Sequence, residues 1–179
     1  MDDCAIRRAN PDDAERLALV GAATFLETFA GAVAGAALLA HCRIQHAAET
    51  YRAYFDRGAS AWLAECGGAP VGYALLAPPE LEAAREGDIE LKRIYVLSRF
   101  HGSGLAGALF DALVPAARAH RRMLVGVKDD NDRAIAFYVK NGFRQIGTRR
   151  FDVGGTLYDD AVLARPLSPM EPADPAGAA

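Results

Sequence analysis

Residues 89–107, with the sequence IELKRIYVLSRFHGSGLAG, decide the fold of this chain because they run from a strand through a glycine-rich turn into a helix. The first half is a short apolar run rich in β-branched residues, and turn-forming residues follow it at once, which is typical of a buried strand. Gly102 and Gly104 allow the backbone to approach a bound group closely. Apolar residues then recur at helical spacing from Leu105 onward, so the turn ends where a helix begins.

The start of that helix is a predicted anion site. Unpaired backbone N–H groups at a helix N-terminus, together with the positive end of the helix dipole, favour a bound phosphate. Arg99 adds a full positive charge beside these groups. Three known phosphate-binding patterns can therefore be compared with this stretch.

Two of the three patterns fit poorly. A P-loop requires GxxxxGK[ST], and no Lys in this chain is followed by Ser or Thr. Gly102, Gly104 and Gly107 do spell the GxGxxG of dinucleotide-binding proteins, and Asp129 follows a second apolar strand at about the expected distance. That fingerprint places its first glycine at the tip of the strand, whereas residues 98–101 intervene here. A nucleotide-dependent dehydrogenase stays as a minor alternative.

The third pattern is [RQ]xxGx[GA], which residues 99–104 match at every fixed position. Residues 131–143, NDRAIAFYVKNGF, resemble the NxxAxxFYxKxGF segment that follows it in the GNAT superfamily of N-acetyltransferases. The order of predicted strands and helices across residues 4–167 is also similar to that superfamily. Residues 24–31 (TFLETFAG) and 89–96 (IELKRIYV) resemble its polyamine-acetylating, PaiA-like branch.

The resemblance implies an α/β protein with the GNAT fold. Its central sheet should be mixed but mostly antiparallel, with about six to seven strands flanked by about four helices. The length of 179 residues and the hydrophobic content of 51% suit one domain, which we place at residues 1–167. Residues 168–179 are rich in Pro and Ala without an apolar period, which predicts a disordered tail.

Composition argues against several other classes of protein. A formal net charge of −3 gives no general attraction to nucleic acid or to an anionic membrane. The longest run of small apolar residues, 29–40, is too short to span a bilayer, so we expect a soluble protein. His41 and His46 are five residues apart, off the spacing of one helix face, and predict no metal site.

The cysteines predict a reducing compartment. Cys4, Cys42 and Cys66 are odd in number, widely spaced and without a CxxC pair. Such spacing predicts reduced thiols and no disulfide framework. We therefore expect the protein in the cytoplasm.

The resemblance implies acetyl-CoA as co-substrate, with no metal. The pantetheine arm should lie beside residues 95–97 like an added strand, with the N–H of Val96 or Leu97 facing the thioester oxygen. His101, inside the phosphate turn, is expected to lend a ring N–H to the pyrophosphate. The predicted cofactor-binding residues are Tyr95, Val96, Leu97, Arg99, His101, Gly102, Ser103, Gly104, Leu105, Ala106, Asn131 and Tyr138.

The resemblance also suggests catalytic groups. Tyr138 matches the tyrosine whose hydroxyl lies near the CoA sulfur, which makes it the predicted general acid; the alternative is an aromatic residue packed on the sheet. Glu90 is the predicted general base, and its alternative is an ion pair with Lys92. Asn131 could cap its own helix, bind the pantetheine amides, or do both.

The first helical region should form one wall of the acceptor site. Phe25, Glu27, Thr28 and Phe29 are the candidate substrate contacts. Phe25 and Phe29 are four residues apart, so the alternative is that both simply belong to the core.

These observations predict an enzyme that transfers an acetyl group from acetyl-CoA to a primary amine of a small molecule or polyamine by direct attack. An alternative is a protein N-terminal or lysine acetyltransferase. Another is a non-catalytic acyl-CoA-binding module, against which Tyr138 and Glu90 argue. The assembly state stays open, with a homodimer as one option.

Overall fold

The computed structural model describes residues 4–153 and 156–167 of the chain. The tail predicted at residues 168–179 and a glycine turn predicted at 154–155 lie outside the described residues. Of the helices that are described, none combines the length and the hydropathy that a membrane span requires.

The order of secondary-structure elements agrees closely with the order predicted from the sequence. Seven strands and five α-helices occur in the described residues. The strands are β1 Cys4–Ala9, β2 Ser60–Cys66, β3 Ala69–Ala77, β4 Asp88–Val96, β5 Arg122–Lys128, β6 Arg144–Val153 and β7 Thr156–Pro166. The helices are α1 Ala14–Phe29, α2 Gly35–Gln45, α3 Ala48–Asp56, α4 Leu105–Ala117 and α5 Asp132–Lys140. The structure has one helix more than the four expected, because residues 35–56 form two helices, α2 and α3.

All seven strands form one sheet in the order β1-β2-β3-β4-β5-β7-β6. Only β4 and β5 pair in parallel, and every other neighbouring pair is antiparallel. The predicted mixed, mostly antiparallel sheet is therefore confirmed. In the described residues the β4–β5 ladder runs only from Asp88 and Arg122 to Glu90 and Leu124, so the two strands separate beyond that point.

The two faces of the sheet carry different helices. One face packs against α4 and α5 through a core that includes Leu109, Phe110 and Phe143. The other face packs against α1 and α3 through Leu17, Tyr51 and other residues. The gap between β4 and β5 therefore has α1 and α3 on one side and α4 and α5 on the other.

The start of α1 follows from local sequence. The Asn10 side chain accepts a hydrogen bond from the Asp12 N–H, and the Asp13 carboxylate accepts one from the Asn10 N–H. Pro11 occupies the first position of the short 3-10 turn that leads into α1. These groups satisfy backbone donors that the helix itself leaves unpaired.

Pro115 has a smaller effect than a central helix proline would have. Helix α4 ends at Ala117. Pro115 therefore lies in the last turn, where its missing N–H removes one hydrogen bond close to the helix end.

The expectation of three reduced thiols is wrong for two of them. Cys4 and Cys66 form a disulfide, while Cys42 is free. The two residues are 62 positions apart in sequence, yet the antiparallel register of β1 and β2 places them directly opposite each other. Spacing along the chain could not reveal this pairing, because it depends on the register of two strands.

We expect the disulfide to stabilise the protein, since a crosslink between residues this far apart restricts the unfolded chain. Reduction should lower the free energy of unfolding by about 2–4 kcal/mol. Urea unfolding with and without dithiothreitol measures this difference. Cys42→Ala should keep the response to reductant, and Cys4→Ala with Cys66→Ala should abolish it; an unchanged midpoint for the reduced wild type would contradict the prediction.

Candidate active site

The gap between β4 and β5 exposes one edge of β4 near its end. The Leu97 N–H donates to the Val71 carbonyl at 2.9 Å. Because successive N–H groups of an antiparallel strand point to opposite sides, the Val96 N–H points away from β3 and toward the gap. Of the two N–H groups predicted to face the thioester, the Leu97 group is thus already engaged and the Val96 group is the better placed.

The glycine-rich turn connects this edge to α4. Residues Ser98–Phe100 form a short 3-10 turn, and Gly102 and Gly104 follow with φ values of 79° and 88°. Residues with a side chain rarely adopt such angles, which explains the two glycines. The Ser103 hydroxyl donates to the Phe100 carbonyl at 2.6 Å and holds the turn closed.

Helix α4 begins with amides that lie outside the helical hydrogen-bond ladder, although the Leu105 N–H makes a long contact of 3.4 Å with the Ser103 hydroxyl oxygen. The first intrahelical bond runs from the Ala108 N–H to the Gly104 carbonyl at 3.0 Å, so the N–H groups of Leu105 and Ala106 precede the helical ladder. Exposed Arg99 stands nearby, with its guanidinium 5.1 Å from the centre of the Phe100 ring. The donors and the charge fit a phosphate-bearing group.

His101 makes two contacts within the protein. Its Nδ1 contacts the guanidinium of Arg133, and its Nε2 lies 3.0 Å from the Val96 carbonyl oxygen. Since arginine can only donate, Nδ1 accepts and Nε2 carries the proton that is donated to Val96. Both ring nitrogens therefore have partners in the protein, and the ring ties the turn to the end of β4. A ring N–H contact with the pyrophosphate stays a prediction.

Arg133 was missed by the sequence analysis. It is exposed on α5, directly after the Asn131-Asp132 start of that helix. Its contact with His101 brings a second positive charge to the turn that holds Arg99. The position of Arg133 inside the recognised segment was the available signal, but its partner lies 32 residues away.

Tyr138 is buried at the side of the gap that faces α4 and α5. Its ring lies 5.5 Å from that of Phe137 and 5.4 Å from that of Phe143, so the packing role is observed. Burial raises the pKa of the hydroxyl well above its ordinary value, and Tyr95 raises it further. The phenol therefore stays protonated, and no hydrogen bond within the described residues occupies it, which leaves the proton available for donation.

Asn131 caps α5 as one of its predicted roles. Its side-chain oxygen accepts from the Ala134 N–H at 3.1 Å. The amide nitrogen of the same side chain is a donor that this contact does not use. A second contact with pantetheine thus stays a prediction.

The Glu90 carboxylate is buried and has two partners. One oxygen accepts from the Glu80 N–H at 2.7 Å, and the other lies 3.4 Å from the Lys92 ammonium. Val96 follows Glu90 by six positions along the strand, which corresponds to about 20 Å. The ion-pair alternative is therefore observed, while the role as general base stays a prediction that this separation does not favour.

The four predicted acceptor contacts have partners within the protein, and their contact with a substrate stays a prediction. Phe25 is buried in a small cluster with Val33 and Leu38, against which Phe29 packs. Thr28 donates back to the Thr24 carbonyl in its own helix at 2.8 Å. The Glu27 carboxylate accepts from the Ser98 N–H at 2.8 Å, which connects α1 to the start of the glycine-rich turn.

A buried polar cluster on the α1 and α3 side was not predicted at all. His46 Nδ1 lies 2.9 Å from the Tyr51 hydroxyl, which lies 2.8 Å from the Tyr73 hydroxyl. Gly21 makes room for it, because a Cβ there would lie 2.3 Å from the Tyr51 oxygen and 2.5 Å from His46 Nδ1. No sequence pattern joins these residues, since His46 follows the end of α2, Tyr51 belongs to α3 and Tyr73 to β3.

Burial determines the protonation states in this cluster. It lowers the pKa of His46 to about 3, and the nearby charges of Arg93 and His41 act in the same direction. It also raises the pKa of Tyr51 and Tyr73. At neutral pH the cluster therefore consists of a neutral imidazole and neutral phenols. Within the described residues no group of three metal-binding side chains occurs.

Comparisons with known proteins agree with this architecture. The family model described as the Acetyltransferase (GNAT) family matches residues 21–143. Proteins of Mycobacterium bovis and Mycobacterium tuberculosis, described as uncharacterised N-acetyltransferases, are 34% identical over 158 residues. The match covers 87% of this chain and 98% of theirs.

Solved structures show the same fold. The PaiA N-acetyltransferase of Thermoplasma acidophilum in complex with coenzyme A superposes with a TM-score of 0.72 at 18% identity, covering 92% of this chain and 99% of that one. The ribosomal-protein-alanine N-acetyltransferase of Brucella melitensis gives 0.70 at 25% identity, covering 91% and 99%.

The buried His46 predicts that stability falls in mild acid. Its pKa is about 3 in the folded protein against an ordinary 6.5, so the unfolded state takes up a proton first as the pH falls. The free energy of unfolding should therefore decrease below about pH 6.5, with a slope approaching 1.4 kcal/mol per pH unit. Urea unfolding between pH 6.5 and 5 avoids most carboxylate titration. His46→Gln, which keeps a polar group, should flatten the slope; equal slopes would contradict the prediction.

The turn at the start of α4 predicts the effect of removing Arg99. Arg99→Ala should weaken CoA binding about three- to tenfold, the effect of one exposed charged contact. Arg118→Ala at the other end of α4 is the matched control and should leave the affinity unchanged. Isothermal titration with CoA measures both, and equal dissociation constants for Arg99→Ala and wild type would remove Arg99 from the phosphate site.

Proposed function

We propose, from the premise that this chain belongs to the GNAT family and is an acetyl-CoA-dependent N-acetyltransferase, that it acetylates the primary amine of a small molecule by direct attack. The observation that carries the proposal is the early end of the β4–β5 ladder at Glu90 and Leu124. It leaves an edge of β4 facing a gap, and the glycine-rich turn begins where this edge ends, after Val96. An extended pantetheine arm can bind such an edge through backbone hydrogen bonds.

Several groups would hold acetyl-CoA, which supplies the acetyl group when bound. The amides of residues 102–106 would bind the pyrophosphate, because they lead into the N-terminus of α4. Those of Ser103 and Leu105 would first have to leave the Phe100 carbonyl and the Ser103 hydroxyl, at 3.2 Å and 3.4 Å. Arg99 and the newly found Arg133 would add positive charge there. Backbone groups of residues 95–97 and the free amide end of Asn131 would face the pantetheine arm.

Two groups of this chain would act on the reacting atoms. The Val96 N–H would donate to the thioester oxygen as negative charge develops on it, a contribution of roughly 3 kcal/mol in other acyl-transfer enzymes. Tyr138 would give its proton to the departing sulfur. The new bond joins the amine nitrogen to the acetyl carbon, the carbon–sulfur bond breaks, and CoA leaves as a thiol.

The attacking amine must also lose a proton. Glu90 stays our proposed acceptor of that proton, but at about 20 Å along β4 from Val96 it could act only through water. A chain of water molecules leading directly to solvent is the second option. Glu90→Gln separates them, because only the first option requires an ionised carboxylate at that position.

The acceptor itself is the finer part of the proposal. Arg93 and Arg149 lie near Tyr95 on the α1 and α3 side of the sheet, and both lower the pKa that burial of this tyrosine raises. Arg149 is paired with the Asp160 carboxylate at 3.0 Å, whereas Arg93 has no carboxylate partner in the described residues. The charge of Arg93 therefore disfavours a polyamine and favours a small amine that carries negative charge of its own. Protein acetylation and a non-catalytic acyl-CoA-binding module stay as alternatives.

The cellular compartment and the assembly state of the protein both stay proposals. We propose that the reaction takes place in the cytoplasm, although the argument from three reduced thiols no longer supports it because Cys4 and Cys66 are joined. A homodimer also stays a proposal. Sedimentation analysis of the purified protein with and without CoA tests it.

Thiol release from acetyl-CoA in the presence of an amine panel tests the proposed function. The panel should contain polyamines, amino acids, aminated drugs and a peptide with a free N-terminus. Thermal stabilisation by acetyl-CoA but not by NAD would separate this function from the dehydrogenase alternative. Stabilisation without turnover of any amine would instead support the binding module.

The buried, protonated Tyr138 generates a mechanistic prediction. Tyr138→Phe should lower kcat by about 10²-fold, the lower range of general-acid effects, because the leaving sulfur loses its proton donor. The ring packing against Phe137 and Phe143 is kept. Steady-state thiol release measures the rate and titration with CoA serves as the internal control, since the dissociation constant should stay the same. Equal kcat values would exclude Tyr138 from the mechanism.

A further inference from the structure

Arg93 is a buried cation with an unused hydrogen-bond donor. It lies on β4, three residues before Val96, and only 9% of its surface is exposed. Among the buried side-chain nitrogen and oxygen atoms of the described residues, the Nη1 atom of Arg93 is the one without a hydrogen-bond partner. Native proteins rarely leave such a group unpaired, so this nitrogen calls for an explanation.

Aromatic rings, not carboxylates, surround the guanidinium. Its centre lies 5.4 Å from the Tyr51 ring and 5.6 Å from the Tyr54 ring. In the described residues no carboxylate lies within ion-pair distance of it. Glu80 is close enough for Arg93 to lower its pKa, but the Glu80 carboxylate is bound to Lys92. Arg93 therefore has no counter-ion of its own.

Tyrosinate does not supply the missing negative charge. Burial raises the pKa of Tyr51, Tyr73 and Tyr95, so each stays a neutral phenol. Rings can stabilise a cation through their faces, but a desolvated charge still costs several kcal/mol unless it is paired. A group from outside the chain is the remaining source of an anion.

The position of Arg93 suggests which anion this is. Arg93 and Tyr95 are two residues apart on β4, so both side chains point to the same side of the sheet, the side of α1 and α3 where the acceptor is expected. A cavity of about 340 Å³ opens on the same side, lined by Glu80, Leu81, Glu82, Arg149 and Arg150. The Tyr54 ring connects Arg93 to this cavity, because Arg57 lies 4.9 Å from the centre of the same ring and 4.0 Å from the Glu80 carboxylate at the cavity wall.

We propose that Arg93 determines acceptor specificity by binding the carboxylate of an amine substrate, so that the acceptor is an amino acid or a similar compound with one amine and one carboxylate. The inference rests on the proposed acetylation of a small primary amine and deepens it. The planar guanidinium has the geometry to bind both carboxylate oxygens. The substrate would thereby complete the charge balance of the site, and a polyamine would be repelled.

Matched pairs of amines test this inference. Each pair has one member with a carboxylate and one in which an amide or a hydrogen replaces it, for example phenylalanine with phenylalaninamide, and 4-aminobutanoate with propylamine. Thiol release from acetyl-CoA gives kcat/KM for each. For wild type the carboxylate member of at least one pair should be preferred by about tenfold or more, the factor that one charged hydrogen bond gives.

Variants of Arg93 test whether its side chain causes the preference for the carboxylate member of a pair. Arg93→Met should reduce it to within about twofold of unity by raising KM for the carboxylate member, and Arg93→Lys should keep part of it. Arg57→Met is the matched control: Arg57 contacts the Tyr54 ring at 4.9 Å but is 58% exposed, and its loss should leave the preference intact. Arg93→Met should also melt no lower than wild type without substrate, because it removes an unpaired buried charge.

The outcomes distinguish a failure of the role of Arg93 from a failure of the proposed function. Acetylation of both members of every pair at equal rates would overturn the role of Arg93 and keep the proposed function. A preference that survives in Arg93→Met, with a lower melting temperature, would make Arg93 a structural residue. If no amine is acetylated, thermal shifts with the same pairs still decide: stabilisation of wild type but not Arg93→Met by the carboxylate member supports the inference, and its absence overturns it.

Discussion

The early end of the β4–β5 ladder is the constraint on which the rest of the structure depends. Two parallel strands that stay paired would use their backbone groups on each other, and no edge would be left for a ligand. Here the pairing ends at Glu90 and Leu124, and β4 continues without β5 as far as Val96. The strand is still held in place from its other side by β3. A rigid edge with unpaired amides is the result.

The glycine-rich turn is fixed to this edge by side chains from three elements. His101 reaches back to the Val96 carbonyl, and Arg133 of α5 contacts the same imidazole. Glu27 of α1 accepts from the Ser98 amide on the other side. The turn that would hold the pyrophosphate and the strand that would hold the pantetheine arm are therefore positioned relative to each other before any ligand binds, which limits the entropy lost on binding.

The acceptor side shows a different balance of forces. Tyr51, Tyr73 and His46 satisfy one another, and Gly21 allows α1 to pack directly above them. Arg93 is buried beside them with a nitrogen that nothing in the described chain satisfies. The neutral wall does not pair with the cation, so the buried charge costs free energy in the empty protein. A bound anion would pair with this charge and remove that cost. Stability and substrate recognition thus make opposite demands on this one residue.

The sequence by itself determined what depends on neighbouring residues. The strand, the turn with Gly102 and Gly104, the start of α1 and the order of the elements follow from local propensity and spacing, and the resemblance drew attention to Tyr138. Tertiary structure decided what depends on strand register and helix packing: the Cys4–Cys66 disulfide and the unpaired Arg93. These pairings join residues far apart in the chain, and their energies depend on burial and distance, which no spacing along the sequence encodes.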